Sequence, residues 1–186
     1  MHNYAAIHGS LPPAAIYSAE GKPLLSWRVA ILPFMEHPKL FEEFKLDEPW
    51  DSPHNLALLP KMPQTFKHFH GRVTPVPHTT YYRVFVGPGT PFEGPIGISL
   101  KDFPDGTSDT FLIVEAAEAV PWTKPAELSC RPECAMPALG GHFPEGLIAA
   151  MADASTPTIR ASVSEDTLRA GATRNGRDDA KPLWEQ

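Results

Sequence analysis

Hydrophobic positions change their spacing along this chain, and the change divides it. In the first third they recur at helical intervals and are broken by prolines. In "LLSWRVAILPFMEHPKLFEEFKL" (24–46), Trp27, Ile31, Phe34 and Met35 lie on one helical stripe behind Ser26, whose hydroxyl suits an N-cap. Pro33 bends or ends that helix, and Pro38 opens a second one at its first position. Ser52 caps a short helix to about Leu59. "HNYAAIHG" (2–9) reads as the last turns of a helix stopped by Gly9. The stretch 11–23 reads as loop with a turn at Glu20-Gly21.

From residue 79 the pattern turns to β-branched and aromatic runs. "TTYYRVFVGPG" (79–89) reads as a strand closed by Gly-Pro-Gly. "TFLIVEAAEAV" (110–120) has a continuous apolar run, which suits a central strand. "EGLIAAMADAS" (145–155) and "TPTIRASV" (156–163) are a third and fourth strand joined by a turn over Asp153–Pro157. "SEDTLRAGATRNG" (164–176) is a helix capped by Ser164, with Glu165 and Asp166 at its positive end. The expected fold is α+β: N-terminal helical segments packed on a small, mostly antiparallel sheet, forming one domain over 1–176 with a tail at 177–186.

Composition adds limits. The 42% hydrophobic fraction is enough for a core, and the 22 prolines in 186 residues, about twice the usual ~5%, predict short elements and long ordered loops. A net charge of −6 argues against a nucleic-acid surface. No stretch approaches the ~20 apolar residues of a membrane span, and the N-terminus lacks the basic and apolar regions of a signal peptide. Cys130 and Cys134 are too few for a disulfide framework, which leaves a local disulfide or two free thiols.

Several stretches occur here in one order: "HNYAAIHGSLPPAAI", "PLLSWRVAILPFME", "FKLDEPWDSPHN", "FVGPGTPFEG", "DGTSDTFLIVEAAEAVPWTKP", "GGHFPEGLIAAMADAS" and "VSEDTLRAGATRNG". Together they resemble the DUF1559 family of planctomycete-type bacteria. That resemblance covers residues 2 to 176 and implies a head like that of a type IV pilin or a type II secretion pseudopilin. It implies a cell-envelope, extracytoplasmic location, pilin-like or secretion-system partners, and an oligomeric assembly. Members begin with a leader and an anchoring helix that leads into the "HNY" segment, so the chain is expected to correspond to the head without its anchor. Ala154 stands where the family has glycine after Asp153, and Asp109 where it commonly has asparagine.

The candidate chemistry is modest. In "DGTSDT", Asp105, Thr107, Ser108 and Asp109 either hydrogen-bond their own loop or offer oxygens to Ca²⁺, as the pseudopilin likeness suggests. Glu115, His142 and Asp153 either fix the sheet to the "GGH" loop or bind a transition metal. His68, His70 and His78 fall within eleven residues and are either ordinary exposed loop histidines or a copper or zinc patch. No G-x-S-x-G elbow is present, so a serine hydrolase would need Ser108 or Ser155 to meet His142 and Asp153. The expected function is therefore non-enzymatic, by protein interaction. A soluble extracytoplasmic ligand-binding protein and a metal-dependent or serine hydrolase are the alternatives.

Overall fold

A computed structural model describes residues 1–67, 76–131 and 133–176. Helix α1 (His2–His8) stops at Gly9, which takes the left-handed φ of 77° that a chain without a Cβ tolerates. Strands β1 (Ala15–Tyr17) and β2 (Pro23–Ser26) then form an antiparallel hairpin. The sequence reading places this stretch in a loop. Its turn at Gly21 is as expected, but pairing of strands this short depends on Leu24 and Leu25 being buried by distant residues.

Ser26 ends β2 and caps α2 (Trp27–Ala30), accepting the Arg28 N–H on its hydroxyl. Pro33 converts the rest of that stripe into a 3₁₀ turn, Leu32–Met35. Helix α3 (Pro38–Glu43) opens at its proline. Helix α4 (Pro53–Leu56) is capped by the Ser52 hydroxyl, which accepts the Asn55 N–H. Among the described residues, no helix is long and apolar enough to cross a membrane.

The main sheet has four antiparallel strands in the order β3 (Thr79–Arg83), β5 (Phe111–Pro121), β7 (Gly146–Met151) and β8 (Thr158–Arg160). This is the expected α+β architecture, with β5 central. The run 79–89 is not one strand, however. The chain leaves the sheet at the fully buried Val84, and β4 (Phe85–Val86) pairs in parallel with β6 (Leu128–Ser129). Helix α5 (Glu165–Ala172) is capped by Ser164 as predicted, accepting the Thr167 N–H at 3.1 Å.

The core lies in two parts. One gathers the helical segments and loops around Leu25, Trp27, Leu32, Phe66 and Trp122. The other lies between α5 and one face of the sheet, with Phe111, Val114, Leu147, Met151 and Ile159. Each such side chain contributes about 1.5–3 kcal/mol on burial. Two loop tryptophans tie their proline-rich loops to the domain. Trp122 is buried and donates its indole N–H to the Leu59 carbonyl at 3.0 Å, while Lys124 lies over the Trp50 ring.

Candidate functional site

Strand alternation puts Val114 and Leu147 on the face covered by α5, so Ile113, Ile148 and Ala150 point the other way. With Tyr82 of β3 and Thr158 of β8 they form one wall of a groove of about 570 Å³. Trp27, Ile31, Phe34 and Met35 form the facing wall, the same helical stripe that the sequence shows. Met1, Asn3, Thr65, Phe66 and Thr156 complete the lining. None of these side chains is an Asp, Glu, Lys, Arg or His. The groove is therefore apolar, with hydroxyls and one amide at intervals.

Trp27 is 1% exposed, and its indole N–H has no hydrogen-bond acceptor among the described residues. Phe66 packs edge-to-face against its ring at 6.2 Å, and the Arg28 guanidinium lies 4.8 Å from its centroid.

The buried Arg28 holds this wall against the sheet. Its Nε donates to the Tyr82 carbonyl at 3.0 Å, its Nη2 reaches the same oxygen, and Nη1 donates to the Ser26 hydroxyl. Nη1 also meets Glu127 Oε1 at 3.1 Å, with the two side chains 0% and 4% exposed. The other Glu127 oxygen accepts the Val84 N–H at 3.0 Å. One carboxylate thus neutralises the arginine and satisfies the backbone where the chain leaves the sheet. Burial pulls the Arg28 pKa down, and the Glu127 charge opposes that pull. The sequence reading missed this pair. Its signal was an arginine between Trp27 and Val29 in an otherwise apolar segment.

The residues singled out from the sequence fall into two groups at opposite ends of β7. Thr107, Ser108 and Asp153 come together at one end. The Asp153 N–H donates to the Thr107 carbonyl at 3.0 Å, and Ser108 Oγ lies 3.4 Å from Asp109 Oδ2. Asp153 Oδ1 accepts the Ser155 N–H at 2.8 Å and its hydroxyl at 2.6 Å. Those bonds, with a smaller contribution from His2, hold the Asp153 carboxyl below the usual aspartate range. Asp105 anchors the same loop, donating its N–H to the Arg174 carbonyl at 3.2 Å.

His142 is at the other end. Its Nε2–H donates to the Ala116 carbonyl at 2.9 Å, and its ring packs 4.0 Å from that of Tyr81. The six residues of β7 separate it from Asp153 by roughly 17 Å at ~3.3 Å per residue. Ser108, His142 and Asp153 therefore do not converge as a hydrolase would require.

Glu115 is fully buried between these ends. Beyond it, β5 turns from β7 to pair with residues 138–140, through the Ala116–Leu139 bridge and the bond from Gly140 N–H to the Glu115 carbonyl. Its Oε2 accepts the Ile148 N–H at 3.1 Å where that ladder parts. This is the sheet-fixing use of a carboxylate. Among the described residues no three His, Cys, Asp or Glu side chains are placed to hold a metal ion. Asp105, Asp109, Glu115, His142 and Asp153 thus do not form one ligand set. His78 is half-buried, while His68 and His70 lie outside the described residues. Cys130 is buried and Cys134 exposed, and both are free thiols.

No curated protein and no solved structure matches the chain. A family model described as "Protein of unknown function (DUF1559)" matches residues 1–91. That span carries α1, the β1–β2 hairpin, the helical wall of the groove and β3. Over that span, residues 1–91, the chain matches the DUF1559 family.

Proposed function

We propose that the chain is the head of a pilin-like component of the cell envelope, acting by association with other pilin-like or secretion-system proteins rather than by catalysis. The supporting observation is helix α1. A seven-residue helix does not sustain itself in water. This one is held by His2, whose ring donates to the Ala152 carbonyl at 2.9 Å, and by Tyr4 and His8 stacked at 4.2 Å beside Phe34. Yet none of its residues is buried, and Ile7 is 72% exposed. The chain leaving it bonds to the segment that carries Ile96, 78% exposed, through the Leu11 N–H and the Ile98 carbonyl. Apolar side chains held outward by a docked helix suit contact with another protein.

The test places a photo-crosslinking amino acid at Ile7, and at the exposed Lys22 as control, in the full native gene expressed in its host. Crosslinks from Ile7 but not Lys22 to a pilin-like or secretion protein, with the protein in the envelope fraction, are expected. A cytoplasmic protein giving no specific crosslink from Ile7 would overturn the reading.

A further inference from the structure

We propose that the free edge of β8 takes up an extended segment of a separate protein as a further strand of the sheet, with an apolar side chain opposite Thr158 and a carboxylate opposite Arg160. This goes beyond the association reading and rests on none of the residues that carry it.

The register decides which backbone groups are free. β8 pairs with β7 as Thr158↔Ile148 and Arg160↔Gly146. The Ala149 N–H donates to the Pro157 carbonyl at 3.3 Å, and the Ala161 N–H to the Glu145 carbonyl at 3.2 Å. Residues 157 and 161 therefore face β7, and Thr158 and Arg160 turn their N–H and C=O groups the other way. The Arg160 carbonyl accepts the Val163 N–H at 3.1 Å. The Thr158 N–H, the Thr158 carbonyl and the Arg160 N–H have no protein partner among the described residues, and both residues are exposed. Pro157 does not blunt this edge, because its missing N–H would have faced β7. The opposite edge of the sheet is covered at Tyr82. There the carbonyl is held by Arg28, and the N–H donates to the Thr80 hydroxyl at 3.2 Å. An edge left open in this way is a template for a further strand.

The side chains define that strand. Thr158 lies on the groove face beside Ile148, so an apolar residue placed opposite it continues the same wall. Arg160 is exposed and forms no ion pair among the described residues, so a carboxylate opposite it supplies the counter-charge. A second copy of β8 fits less well. Paired symmetrically about Ile159, each Thr158 N–H would meet an Arg160 carbonyl that Val163 already occupies, and the two arginines would become diagonal neighbours.

The probe is a short fluorescein-labelled peptide in which valine alternates with threonine and aspartate replaces one valine. It is titrated into the purified protein and followed by fluorescence anisotropy, and saturable binding at one peptide per chain is expected. Methylating the peptide amides one at a time should weaken binding at every second position, by at least the two- to tenfold of about one net hydrogen bond. Arg160→Glu should weaken this peptide and favour one with lysine in place of aspartate, and its native circular dichroism shows that the protein is folded. No saturable binding to the wild type overturns the proposal, as does a methylation series without alternation. Binding indifferent to Arg160→Glu overturns the acidic assignment. Self-association of the chain that the peptide reverses gives the edge to a second copy and overturns the separate partner.

Discussion

Replacing Glu127 by alanine tests the clamp behind the groove. The Arg28 guanidinium is fully buried, and Glu127 is the carboxylate against it, at 3.1 Å. Removing that carboxylate leaves a buried charge without its counter-charge and deprives the buried Val84 N–H of its acceptor. Breaking a buried pair from one side costs about 3–5 kcal/mol, a range that includes the orphaned hydrogen bonds. Against a total stability of about 5–15 kcal/mol this is large but survivable. At ~2–4 °C per kcal/mol for a chain of this size, a loss of about 4 kcal/mol lowers Tm by about 8–16 °C. The assay is urea and thermal unfolding of the wild type, Glu127→Ala, Arg28→Met and the double variant. The double variant should lose clearly less than the sum of the singles, because removing both charges leaves neither unpaired. The pair is buried, so raising salt to 1 M should leave the Glu127→Ala effect nearly unchanged. A loss below about 1 kcal/mol, or an effect that salt erases, would show that water reaches the guanidinium, and the clamp argument would fail.

Two further outcomes follow from local geometry. Ala154 holds a φ of 71° in the turn between β7 and β8, where a Cβ is strained and glycine is not, so Ala154→Gly should raise stability by about 0.5–1 kcal/mol in urea unfolding; a loss of stability would show that the turn is not strained. Burial raises the Cys130 thiol pKa, while Cys134 is exposed, so a thiol reagent should label one group per native chain and two in denaturant; no labelling even in denaturant would contradict the two free thiols, and none until denaturation would contradict the exposure of Cys134.

The local chemistry of the chain was readable wherever one residue acts on its near neighbours. Ser26, Ser52 and Ser164 cap helices because a hydroxyl reaches an N–H two or three residues ahead, and no distant contact is needed. The prolines at 33 and 38 act on their own turns. The continuous apolar run of β5 marked it as central, since both its faces are covered. The DUF1559 resemblance was likewise legible in the motifs, and the family model supports it over residues 1–91.

Other features exist only through long separations along the chain. The β1–β2 hairpin was hidden because three- and four-residue strands carry almost no periodicity of their own. Strand alternation gave Glu115 a face, but its partner, the Ile148 N–H, is 33 residues away and is freed only where β5 turns toward 138–140. His142 and Asp153 look like one site eleven residues apart, until β7 runs between them and carries them to opposite ends of the sheet. The groove takes one wall from residues 27–35 and the other from strands between 82 and 158. By itself the sequence determined caps, breaks and strand faces, because these depend on bonds spanning a few residues. Only the tertiary structure decided which faces meet, which carboxylate is buried and which indole is left without an acceptor, because those depend on how distant segments fill space together.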